Sequence, residues 1–155
     1  MALTQDAWFN DTMVQALSNA IALNLADTTP GAFKGALYLE TASPNFSQAS
    51  PTYGTSPLNS GEASGPGYTA GGANLTVTSF AELASAANKI GWKFSPVSWT
   101  ESTISAAGLL IYVPSLSNRA VLLRWFGQEY DTADGTFSIT PASDGVWRQV
   151  LRTTA

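Results

Sequence analysis

A chain of 155 residues that is 45% apolar is long enough for one domain with a substantial core, and without cysteine it has no disulfide framework, thiolate metal site or cysteine nucleophile. Histidine is also absent, which removes the commonest general base, the commonest metal ligand and the middle member of a serine triad. Only 12% of residues are charged, the formal charge is −4, and the seven cations form no basic stripe, so nucleic-acid binding lacks its electrostatic footprint.

The first residues, MALTQDAWFNDT, carry no basic segment and meet acid at Asp6 and Asp11, so they do not read as a secretory signal. No apolar run approaches the roughly 18 residues of a membrane span. Met13, Val14, Leu17, Ala20, Ile21 and Leu25 recur at three- and four-residue steps. That spacing predicts one long helix with its apolar stripe facing a core, stopped at Pro30-Gly31. Thr12 and Gln15 have capping-box spacing, and Trp8-Phe9 ahead of them is either a hydrophobic staple or an anchor into a partner subunit. The expected division is an N-terminal segment and helix over 1–30 and a β domain over 31–155.

From Phe33 the period changes to two. Phe33, Leu37 and Leu39 alternate with Lys34, Tyr38 and Glu40, which predicts a strand with one wet face. Residues 42–63 carry Pro44, Pro51 and Pro57 and much serine, and exceed ordinary loop length. They are expected either to be disordered or to form an extended arm laid on another surface, with Phe46 and Tyr53 favouring the arm.

Residues 61–76, GEASGPGYTAGGANLT, hold five of the thirteen glycines. A phosphate loop needs Lys-Ser/Thr after its last glycine, and a dinucleotide fingerprint needs a following helix. Here Ala73-Asn74 and then a strand pattern follow, so the stretch reads as a fixed turn or bulge with Tyr68 packed across it. Strand candidates continue with NLTVTSF, KIGWKFSPVSW, AAGLLIYVPS, RAVLLRWF, GTFSIT and GVWRQVL. The third and fourth of these are apolar throughout, as strands buried on both faces are. Asp134-Gly135 and Asp144-Gly145 mark turns. The whole predicts a mainly β fold, a β-sandwich or jelly-roll-like domain with one N-terminal helix. Trp92, Trp99, Trp125 and Trp147 lie on strand patterns as core residues. Asp131, Asp134 and Asp144 read as turn carboxylates, since DTADG lacks the other ligands of a calcium loop. No catalytic residue, cofactor or metal site is expected.

Phe33-Lys34, Ser64-Gly65 through Gly71-Gly72, Trp99, Leu110-Ile111-Tyr112, Phe126-Gly127 and Gly135 to Ile139 occur in an order that resembles small β-rich virion proteins of tailed bacteriophages. The resemblance spans about residues 31–140. The chain departs from it in the long arm at 42–63 and in KIGWKFSPVSW, where those proteins carry a run of aspartates. It implies a non-enzymatic decoration protein on the capsid exterior, partnered by the major capsid protein and by itself, a trimer before a dimer. Trp8, Phe9, Phe46, Tyr53 and Tyr68 are the expected interface residues. A tail or tail-tip component is the close variant. A carbohydrate-binding module is the alternative of a different class; it needs exposed Trp or Tyr with an Asp or Asn rim.

Overall fold

The computed structural model describes residues 3–84 and 89–150. Within them the chain is mainly β, arranged as three antiparallel sheets in a sandwich-like fold with one short helix. The strands are β1 (Ala7–Trp8), β2 (Phe33–Tyr38), β3 (Ala73–Leu75), β4 (Val77–Glu82) and β5 (Lys89–Phe94). They continue as β6 (Val97–Ser102), β7 (Ser105–Val113), β8 (Arg119–Asp131), β9 (Gly135–Ile139) and β10 (Trp147–Val150). Leu151, which the sequence pattern would add to the last strand, lies outside the described residues.

The central sheet runs β1-β8-β7-β2-β3. Its middle strands are the two apolar runs, and in β7 every residue from Ala106 to Val113 is buried, as their composition demands. A sheet apolar on both faces must be covered on both. One face packs against the sheets β10-β5-β4 and β6-β9, enclosing Phe33, Leu37, Trp92, Phe94, Trp99, Ile111 and Phe137. The other face is covered by residues 42–63 and by the N-terminal segment, enclosing Leu3, Phe9, Tyr38, Leu58, Leu110 and Tyr112.

The proline-rich segment is therefore the third layer of the domain, laid on its own sheet. Ala42, Pro51, Leu58 and Ala63 are buried in it. Single bridges join Thr52 to Arg119 and Glu62 to Tyr38. Burying one leucine such as Leu58 contributes about 2 kcal/mol, and no free arm gains that. This layer also corrects the expected wet face of the Phe33 strand. Tyr38 is fully buried, and its hydroxyl donates to the Leu58 carbonyl at 2.6 Å.

The helix departs from the sequence reading in length and orientation. α1 spans Asn10–Leu17 only, and residues from Ser18 to Pro30 form no helix. Phe9, not Thr12, is the cap residue, and no side chain caps it. Thr12 instead turns inward and donates to the Ala120 carbonyl at 2.7 Å, while Gln15 donates to Asp11 at 2.7 Å. Leu23 and Leu25 still reach the core, but as irregular chain; the Leu25 carbonyl accepts from the Trp92 indole at 2.8 Å.

The glycine-rich stretch is a fixed turn, as its context predicts. At Gly72, φ is +69°, and a Cβ there would lie 1.8 Å from the Gly35 carbonyl oxygen, so only glycine lets the turn approach β2 this closely.

Candidate functional site

The turn, the third layer and the central sheet meet at Glu62. Its carboxylate accepts from the Tyr53 hydroxyl at 2.8 Å, the Tyr68 hydroxyl at 2.8 Å and the Gly71 amide at 2.7 Å. The Tyr68 oxygen in turn accepts the Leu37 amide at 2.9 Å, and the Tyr112 hydroxyl donates to the Gly71 carbonyl at 2.9 Å. Burial raises the pKa of the Tyr38, Tyr53, Tyr68 and Tyr112 phenols, and the nearby Glu62 charge raises them further. Tyr112 is pushed up to about 12. With its acceptors engaged by fixed donors, the carboxylate acts as a clasp between layers. No group of three or more residues able to hold a metal ion occurs among the described residues.

The five residues expected at a partner interface all take part in packing within the chain. Trp8 faces the first core, stacked on Trp92 with ring centroids 5.3 Å apart and set edge-on to Trp147 at 5.5 Å. Phe9, the next residue, faces the opposite core, is fully buried and packs on Phe46 at 5.2 Å. β1 thus pins both layers, and as folded here Phe9 offers no surface to a partner. Tyr53 stacks on Tyr112, and Tyr68 leans on Trp99 at 6.1 Å. Trp8, Phe46, Tyr53 and Tyr68 keep partial exposure.

Exposed apolar surface lies elsewhere. Leu17 is 83% and Val14 65% exposed, both on α1. The helix is inverted relative to its sequence pattern because its inner side is held by polar bonds. Besides the Thr12 bond, Asp11 pairs with Arg119 at 3.0 Å and accepts the Ser50 amide at 2.8 Å. The Asn10 amide donates to the Phe46 carbonyl at 2.9 Å. These bonds fix α1 against β8 and the third layer, which leaves Val14 and Leu17 in water at a cost that burial by a partner would recover. Sequence reasoning missed them because an apolar stripe on a helix usually faces its own core. The remaining signal was the polar set Asn10, Asp11 and Thr12, which needed partners inside.

A second exposed feature is a cleft of about 560 Å³ between β8 and β9. Tyr130, 46% exposed, stands at its mouth. Trp125, half-buried against the opposite core, also lines the cleft. Among the described residues no helix is long and apolar enough to cross a membrane.

Comparison with known protein families, with curated proteins and with solved structures finds no match for this chain.

Proposed function

We propose that the chain is a non-enzymatic structural subunit of a tailed-phage virion, a decoration protein that binds the exterior of the assembled head through the outward face of α1. The observation that carries this reading is the exposed pair Val14 and Leu17, held outward by a polar inner face on a rigid β platform. Two leucine-sized contacts are weak singly, but a subunit repeated over a particle and engaging as an oligomer adds them through multivalency. The low proportion of charge fits a surface made to be covered, and the ordered motifs from Phe33 to Ile139 supply the likeness to virion proteins. Partners in this reading are the major capsid protein and further copies of the chain, a trimer before a dimer.

Quantitative mass spectrometry of purified particles tests it. Copies comparable to the major capsid subunit fit head decoration, a handful places the chain in the tail, and none overturns the virion reading.

A further inference from the structure

Residues 3–17 are held by the rest of the chain as a bound peptide would be. The Leu3 amide donates to the Glu40 carbonyl at 2.6 Å, and its side chain rests on Gly108, where a Cβ would lie 2.6 Å from the leucine Cδ2. Asp6 pairs with Arg124, β1 adds to the edge of β8 at Leu122 and Leu123, and Trp8 and Phe9 enter the two cores. The partners in the seat all lie beyond residue 31, so the unit and its seat are separate parts of the chain.

A turn joins them. Residues 18–22 carry neither helix nor strand, and all but Ile21 are exposed. Asn19 adopts a left-handed φ of +59°. Its amide donates to the Ala16 carbonyl and the Ala20 amide to the Gln15 carbonyl, the pair of bonds that ends a helix and redirects the chain. Among the described residues, no hydrogen bond from 18–22 reaches the sheets. Beyond the turn the chain is anchored again, by Leu23, Leu25 and the bond from Trp92. Yet the residues crossing the turn are helical in pattern. Val14, Leu17, Ile21 and Leu25 keep three- and four-residue steps, with Ala20 and Ala22 between them, and the left-handed Asn19 interrupts them. The turn opposes local preference, and opening it into helix removes that conflict while the unit keeps every contact with a seat.

We propose that residues 3–17 exchange between copies of this chain. The turn at 18–22 straightens into a longer α1, and the unit docks on a second copy, which offers the same β8 edge, Gly108 hollow and Arg124. A second copy is the occupant that fits, because this sequence already fills the seat to full burial of Leu3 and Phe9. The closed and exchanged forms differ only in the hinge, so hinge conformation and chain concentration set the balance between them. Undocking Trp8 and Phe9 is the slow step, and exchange is therefore established as the chain folds. The proposal holds whether or not the chain is a virion subunit.

The absence of cysteine allows a direct test with two single variants, Asp6→Cys and Arg124→Cys, which the Ala7–Leu123 register sets opposite each other. Refolded together at about millimolar concentration and then oxidised, they should give a disulfide joining one chain of each kind, mapped by peptide mass spectrometry. Refolding together at about micromolar concentration should give at least about tenfold less. In the cysteine-free chain, light scattering after the millimolar refolding should show an oligomer. Asn19→Ala, which disfavours the left-handed turn and favours helix, should raise its fraction about fivefold, and Asn19→Gly should lower it about threefold. Monomer alone after millimolar refolding, oligomers of the mixed variants that lack the 6–124 disulfide, or equal oligomer fractions for the two Asn19 variants would each overturn the inference.

Discussion

Tyr53 lies flat on Tyr112, with ring centroids 4.5 Å apart and planes inclined by 13°. One ring belongs to the proline-rich layer and the other to a central strand, so this stack and the Glu62 clasp beneath it hold the layer to the sheet. Tyr53→Ala should lower unfolding stability by about 3 kcal/mol in urea denaturation, the usual range for a half-buried aromatic. Tyr53→Phe keeps the stack and loses one bond to Glu62, so about 1 kcal/mol is expected. Changes under about 0.5 kcal/mol for both would mean that the layer is a loosely attached loop.

The same tyrosines predict an alkaline limit. Their phenols are raised above the ordinary value of 10.0, so the folded state favours the neutral form. That stabilisation is complete below pH about 10, where unfolded phenols are protonated, and it is lost as pH rises from there towards the folded values. Phenolate absorbance should therefore rise mainly above pH 10 and together with loss of near-ultraviolet circular dichroism. Full ionisation of four phenols near pH 10 in a chain that stays folded would contradict the buried clasp.

Much of this arrangement was legible in the residues. The unbroken apolar runs at 106–113 and 120–123 required a sheet covered on both faces, and the glycine stretch required a tight turn; both hold. What hid the third layer was its composition. Residues 42–63 have no period of two or 3.6, because their contacts are single side chains such as Leu58 and Tyr53 dropped onto a sheet. Periodicity registers repeated contacts with one surface and is blind to isolated ones. The helix failed for a related reason. Thr12 finds a carbonyl on β8 and Asp11 an arginine 108 residues away, and such distant partners turned the helix over.

Gly72 and Gly127 separate two costs of replacing glycine. Both have positive φ, +69° and +94°, so alanine at either incurs about 1 kcal/mol of backbone strain. A Cβ at Gly127 meets nothing within 4 Å, whereas at Gly72 it collides with the Gly35 backbone. Gly127→Ala should therefore cost about 1 kcal/mol, and Gly72→Ala at least about 3 kcal/mol or the soluble fold altogether. Equal midpoints in parallel urea titrations would show that the turn does not press on β2.

Asp11 sets the acid side. The Ser50 amide, with Gln15 and Arg119, holds its carboxyl below the usual 3.8. A depressed value means that the ionised group stabilises the fold, fully above pH about 3.8, and that this is lost as pH falls through the lower folded value. Asp11→Asn should flatten that part of the acid transition. Thermal midpoints for the parent and the variant at neutral pH and near pH 3 measure it, and an unchanged acid slope would remove Asp11 from the account.

The outward face of α1 gives the sharpest test of the proposed function. Val14 and Leu17 touch little within the chain, so Val14→Asp with Leu17→Asp should change stability by no more than about 0.5 kcal/mol. If the pair is buried against the head, placing two carboxylates in that contact should weaken co-sedimentation with purified heads about tenfold or more, because uncompensated charge is desolvated there. The thermal midpoint separates the two readings of a loss. A folded variant that no longer binds assigns docking to α1, while an unfolded one means that the helix face supports the fold. A folded variant that binds as tightly as the parent moves docking away from the helix, and the β8–β9 cleft becomes the remaining exposed feature through which particles could hold this chain.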